Sequence, residues 1–172
     1  MSHMNIEIKA RCSNHNKIRG ILQAHNADYK GLDHQIDTYF NAAKGRLKLR
    51  RGEIENSLIW YERRNAKGPK QSNIILHENP TPLLEKIIRN ALNTIIIVDK
   101  MREIYFIENV KFHLDKLKGL GDFIEIEAIN EDGKIGRKKL CGQCNHYMNL
   151  FEIKKEDLVA ESYSDLFRKF II

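Results

Sequence analysis

Charged and apolar side chains alternate along this chain with a period of two, in one stretch after another. Successive side chains of a β-strand point to opposite faces, so residues of one parity share a face. Glu7 and Lys9 therefore lie on one face of a strand over 5–11, and Ile6 and Ile8 on the other. Arg46, Lys48 and Arg50 oppose Leu47 and Leu49; Lys111, His113 and Asp115 oppose Val110, Phe112 and Leu114; Glu125 and Glu127 oppose Ile124 and Ile126. Lys100 and Arg102 add two cations at the same spacing. Two architectures accommodate such strands. In one, the charged faces are the solvated outside of an antiparallel sheet and the apolar faces form the core. In the other, a closed barrel holds the charges inside and helices cover its apolar exterior. The signs are segregated, one strand purely cationic and another purely anionic, whereas a solvated face ordinarily intersperses them. A charged interior demands ionic partners, because unpaired charges in a cavity are costly. Its cations must meet an anion and its carboxylates a metal, and a metal-bound polyphosphate satisfies both.

The order of elements is compatible with either architecture. After the first strand, Ile18, Ile21 and Leu22 predict a helix over 13–25, capped by Ser13. Strands are expected over 34–41, 45–51, 57–64 and 72–77, an antiparallel meander with turn-forming residues between its members. Pro80 and Pro82 introduce a helix over 83–92. Further strands are expected over 95–103, 104–107, 110–117 and 122–129, then helices over 132–150 and 163–170. At 172 residues the chain fits one domain. Met1, Ser2 and His3, ahead of a second methionine, read as a cloning remnant, which leaves 4–172 as the folded unit. No apolar run approaches the ~20 residues of a membrane helix, and the first ten residues lack a signal-peptide core. With three cysteines, this predicts reduced thiols in the cytoplasm and no membrane partner. The net charge of +6 suits an anionic partner and equally suits solubility alone. A nucleic-acid-binding barrel fits that charge but wants exposed aromatic platforms among its basic residues, and none is legible.

Asn5-Ile6-Glu7-Ile8-Lys9 is similar to the Glu-x-Glu-x-Lys signature of the CYTH superfamily, the triphosphate tunnel metalloenzymes. Further blocks keep the family order: His34 to Phe40, Gly45 to Arg50, Leu58 to Arg63, Asp99 to Arg102, and Phe112 to Asp115 followed by Gly119 to Glu127. Glu161 to Leu166 resembles the end of the class IV adenylyl cyclase branch. The resemblance implies an α+β fold: an eight-stranded antiparallel β-barrel tunnel with a charged interior and helices packed outside. It also implies a triphosphate substrate with Mg²⁺ or Mn²⁺, ions that take oxygen ligands and keep waters. Carried over by position, Glu7, Glu125 and Glu127 would be metal ligands, with Asp115 close to metal or substrate. Lys9, Arg50, Lys100 and Arg102 would hold phosphates and, with Asp115, carry catalysis; Arg46, Lys48, Arg63 and Lys70 are weaker candidates for substrate binding. The chain departs from the signature at Asn5, which stands where the first Glu belongs, and at Glu62, where related cyclases carry a lysine.

The implied reaction is either cyclisation of ATP to cyclic AMP and pyrophosphate or hydrolysis of inorganic, thiamine or nucleoside triphosphate. A non-catalytic polyphosphate or nucleotide sensor is the reading from another class, and a homodimer is compatible with the family. Cys141, Cys144 and His146 are too few for a closed zinc site, and Tyr39 and Tyr61 read as strand packing.

Overall fold

The computed structural model describes residues 1–170. Eight strands, β1 (Ser2–Arg11), β2 (Asp28–Phe40), β3 (Arg46–Arg51), β4 (Ser57–Arg63), β5 (Lys70–Glu78), β6 (Thr94–Ile107), β7 (Val110–Leu117) and β8 (Gly121–Asn130), form a closed antiparallel barrel. Around it the strand order is β1-β5-β4-β3-β2-β6-β7-β8, and β8 closes back onto β1. Four helices accompany it: α1 (His15–Ala24), α2 (Pro82–Ala91), α3 (Arg137–Leu150) and α4 (Tyr163–Phe170). No helix among the described residues is long and apolar enough to cross a membrane.

Parity decides which side of the barrel each residue faces, and the charged parity faces inward. On the opposite side, Ile6, Ile8, Phe112, Leu114, Ile124 and Ile126 form the main core with Ile18 and Leu22 of α1 and Leu140 of α3. Each such side chain contributes about 1.5–3 kcal/mol of burial, which makes this outer layer the principal hydrophobic stabilisation. α1 begins one residue later than a Ser13 cap would place it: the Asn14 side chain accepts the Lys17 N–H at 3.0 Å. At one end of the barrel the inward positions turn apolar, with Tyr39, Ile96, Val98, Leu117 and Phe123 packed against Tyr163 and Leu166 of α4. That helix closes this end. Its first turn is held by Ser162, whose hydroxyl accepts the Asp165 N–H at 3.1 Å while the Asp165 carboxylate accepts the Ser162 N–H at 3.3 Å.

Several elements exceed their predicted bounds. β6 is one continuous strand where two were expected, because β2 and β7 flank it along most of its length. β2 starts at Asp28, with a register shift between Tyr29 and Gly31. Gly31 has φ +129°, and a Cβ there would meet Ile54 Cδ1 at 2.8 Å, so the irregularity needs glycine. Ser2 and His3, expected to lie outside the fold, pair with Ile75 and Ile74 of β5. α3 begins five residues later than expected, because 131–134 form a turn in which Asn130 Oδ1 accepts the Ile135 N–H.

Candidate functional site

Barrel closure brings together inward residues that are far apart in sequence. Glu7 of β1 lies opposite Lys70 on one side and Glu127 on the other, and Lys9 opposite Glu125. Asp37 lies opposite Arg50, Arg102 opposite Asp115, and His113 opposite Glu125. A cavity of about 420 Å³ lies inside the barrel, lined by Met1, Asn79 and Glu131 towards one end and by Tyr39, Ser162 and Tyr163 towards the end that α4 closes. Glu7, Lys9, Lys48, Arg50, Arg63, Arg102, Glu125 and Glu127, all singled out in the sequence, line it. Lys70, Lys100 and Asp115 lie behind that surface. Arg46 instead lines a second cavity beside α4, where it pairs with Asp165 at 2.9 Å.

The cations are organised by buried carboxylates that the charge pattern did not flag as a set. Asp37, fully buried, accepts Lys48 at 3.0 Å, Lys100 at 2.7 Å, and Arg50 through Nε at 2.9 Å and Nη2 at 3.1 Å. Burial alone would raise its pKa, but Arg50, Lys100 and Lys48 hold the carboxyl well below its ordinary range. Burial pushes Lys48 down to about 8 and Lys100 to about 7, against the pull of Asp37. Asp115, also fully buried, takes Arg102 in a two-pronged pair at 2.6 and 2.5 Å and the Tyr163 hydroxyl at 2.7 Å. Both of its oxygens are engaged, and in this structure Asp115 orients Arg102.

Arg102 also reaches Glu125 at 2.9 Å, and Lys9 reaches the other oxygen of Glu125 at 3.1 Å. Lys9 additionally sits 3.7 Å from the centroid of the Tyr163 ring. Arg63 donates to Glu7 at 2.9 Å, while Lys70 donates to the Val159 carbonyl at 3.0 Å. In the β3–β4 connection, Glu55 accepts Arg50 and pairs with Lys111.

His113, Glu125 and Glu127 bring three potential ligand atoms within 4.8 Å of one another. Burial and then the Glu125 charge push the Glu127 carboxyl up to about 7, whereas Lys9 and Arg102 hold Glu125 well below its ordinary value. Burial lowers His113 to about 3, so its imidazole is neutral near pH 7. Two buried polar atoms here, Asn5 Oδ1 and His113 Nε2, have no hydrogen-bond partner. A hard divalent cation fits this donor set: clustered carboxylate oxygens, one carboxyl, Glu127, poor in counter-charge, and an amide oxygen short of a partner. Asn5 Nδ2 lies 3.4 Å from Glu127 Oε2, so the residue that departs from the signature is part of the cluster.

Asp37 and Glu55 escaped the sequence reading for different reasons. Asp37 is flanked at i±2 by Gln35 and Tyr39, so no charged parity marked it; Glu55 lies in a turn, where parity has no meaning. His113 was placed on the charged face without a role. Cys141 and Cys144 lie on α3 outside the barrel, and the Cys144 thiol donates to the Ile6 carbonyl. Tyr39 packs in the apolar end cluster, with Tyr61 against it.

The CYTH domain model matches residues 3–159 of this chain. A Methanocaldococcus jannaschii protein bearing the name "putative adenylate cyclase" is 25% identical over 94% of this chain and 97% of its own length. A Vibrio parahaemolyticus structure, also described as of a "putative adenylate cyclase", superposes with a TM-score of 0.78 at 18% identity, covering 98% of this chain and 99% of that one. A Pyrococcus horikoshii structure superposes with a TM-score of 0.73 at 22% identity, covering 94% and 98%. At these identities the two structures establish the shared fold.

Proposed function

This chain belongs to the CYTH domain family, and from that premise we propose that it is a metal-dependent enzyme that cleaves a phosphoanhydride bond of a triphosphate, with ATP cyclisation as its reaction. One observation carries the reading: within a single cavity, Glu125, Glu127 and His113 stand beside Lys9, Arg50, Arg63 and Arg102. Cations alone would serve any anion, and carboxylates alone any divalent ion. Their juxtaposition suits an anion that arrives with its own metal.

A bound Mg²⁺ or Mn²⁺ would neutralise phosphate oxygens and acidify an oxygen it touches. The chain's own residues supply the rest. Asp37 fixes the Arg50 guanidinium and Asp115 fixes that of Arg102, so both forks are oriented before substrate enters. Such preorganised donors act on charge that develops in the transition state, and each is worth about 10²–10³ in rate. In the cyclase reaction the ribose 3′-hydroxyl gives up its proton to solvent and its oxygen attacks the α-phosphorus. The bond from that phosphorus to the bridging oxygen breaks, and pyrophosphate leaves with the negative charge that these cations receive. The names borne by the Methanocaldococcus and Vibrio relatives tilt the reading towards the cyclase; the alternative, hydrolysis of inorganic, thiamine or nucleoside triphosphate, uses the same grip on the phosphates.

Product identity tests the reading. Incubated with ATP and Mg²⁺ or Mn²⁺ at mildly alkaline pH, the protein is expected to yield cyclic AMP and pyrophosphate. Orthophosphate without cyclic nucleotide would replace the cyclase with a phosphohydrolase. Binding without turnover of any triphosphate would overturn both in favour of a sensor.

A further inference from the structure

Glu55 reaches into the open end of the barrel from the β3–β4 connection. Its carboxylate accepts Arg50 Nη1 at 2.7 Å and Gln35 Nε2 at 2.9 Å, and it pairs with Lys111. Arg50 spends its Nε and Nη2 on Asp37, so Nη1 is the guanidinium corner that faces this carboxylate. The connection itself is pinned. Asp33, 1% exposed, accepts the backbone N–H groups of Glu53, Ile54 and Glu55 at 2.8, 3.1 and 3.0 Å. At Gly52 a Cβ would come within 2.4 Å of the Asp33 carboxylate, which leaves no room for a larger residue there.

The carboxylates that hold cations in this barrel differ in how they are anchored. Asp37 and Asp115 sit within strands, are fully buried and have short side chains. Glu55 has one more methylene, lies on a connection, and keeps 18% of its side chain exposed. It can swing into solvent while the backbone that carries it stays bound to Asp33. Without Glu55, Lys111 would lose the carboxylate it pairs with and Arg50 would keep only Asp37, which it shares with Lys48 and Lys100, so an internal anion at this corner stabilises the free protein. A stronger anion that enters the mouth then meets two cations and an amide N–H already converged on one point.

We propose that Arg50, Lys111 and Gln35 form an anion subsite at the open mouth of the barrel, that Glu55 fills it in the free protein, and that a phosphate group of the incoming triphosphate displaces Glu55. This rests on the reading of the cavity as a triphosphate site. Lys111 thereby becomes a substrate-binding residue, and Glu55 an internal competitor that lowers affinity for the substrate.

Calorimetric titration of the full chain with inorganic triphosphate in the presence of Mn²⁺ tests the proposal in four proteins: the unaltered chain, Glu55→Gln, Lys111→Gln and the double variant. Glu55→Gln frees the subsite and is expected to tighten binding about tenfold, the scale of one charge-assisted hydrogen bond no longer contested. Lys111→Gln is expected to weaken binding, and in the Glu55→Gln background to remove most of the gain. Glu55→Ser provides the same release should the Gln variant fail to fold. Unchanged or weaker binding by folded Glu55 variants, with the unaltered chain binding triphosphate normally, would overturn the subsite and leave the functional reading intact. If the unaltered chain binds no triphosphate, the functional reading itself fails and this proposal with it.

Discussion

Replacement of Asp37 by Asn removes the one anion that three buried cations share. The carboxylate is fully buried and accepts four hydrogen bonds, two from Arg50 and one each from Lys48 and Lys100. An asparagine keeps the shape but brings one acceptor and turns an NH₂ group towards the cations. Removing one partner of a buried ion pair costs about 3–5 kcal/mol, a large part of the 5–15 kcal/mol typical of a whole domain. With a urea slope of about 2 kcal/mol per molar, a loss of about 4 kcal/mol lowers the unfolding midpoint by about 2 M. The loss depends on pH with a definite sign. Lys100, at about 7, and Lys48, at about 8, both lie below their ordinary 10.5; without Asp37 they fall further. The variant's folded state then binds fewer protons than that of the unaltered protein, so its deficit is largest at low pH, shrinks as pH rises through about 7–8, where Lys100 and Lys48 of the unaltered protein lose their own protons, and is level above that. Inorganic triphosphate replaces the missing anion and is expected to raise the variant's midpoint more than that of the unaltered protein. A midpoint within about 0.3 M of the unaltered protein at pH 7 would refute the idea that Asp37 holds these cations in place.

Three further outcomes are expected. Arg102→Lys keeps the charge but loses the two-pronged pair with Asp115, and turnover of the preferred triphosphate by the folded variant should fall about 10²-fold; full activity would remove Arg102 from the phosphate grip. Glu127→Gln should stabilise the metal-free protein above pH 7 and leave it unchanged below about 4.5. The Glu127 carboxyl titrates near 7 in the fold against an ordinary 4.5, so the folded state binds the extra proton and stability falls as pH rises through that window; parallel stability–pH profiles would contradict this. Asn5→Glu should destabilise the metal-free protein by setting a second carboxylate against Glu127, and should tighten Mn²⁺ binding measured by calorimetry. Equal Mn²⁺ affinity would show that position 5 takes no part in the cluster.

The two-faced strands were legible because alternation is a geometric signal, as in Arg46, Lys48 and Arg50 on one face against Leu47 and Leu49 on the other; alternation left sheet or barrel open, and the eight-stranded barrel came from the resemblance. Segregation of sign favoured an interior over a solvated face, and the structure places the charges inside. Strand ends were less legible. The stretch Asp28 to Asp33 contains Gly31 and mixed polarity, and it becomes strand only because β6 runs alongside it. The site was half visible for a related reason. Residues in charged runs of one parity, such as Glu125 and Glu127, announced themselves. Asp37 is a lone charge in an uncharged neighbourhood, and Glu55 acts from a turn that tertiary packing against Asp33 fixes. The pairing of Asp115 with Arg102 depends on the β6–β7 register and its bond from Tyr163 on α4 reaching the barrel end, neither of which a local pattern encodes.

The central claim is that one cavity holds a divalent cation against Glu125 and Glu127 and a triphosphate against Arg50 and Arg102. Crystals grown with Mn²⁺ and a non-hydrolysable ATP analogue test it directly through the anomalous signal of manganese. The account predicts a manganese peak at coordination distance from Glu125 or Glu127, with phosphate density between it and the two arginines. Manganese bound outside the barrel, or phosphate density away from Arg50 and Arg102 with the cavity filled only by water, would contradict it.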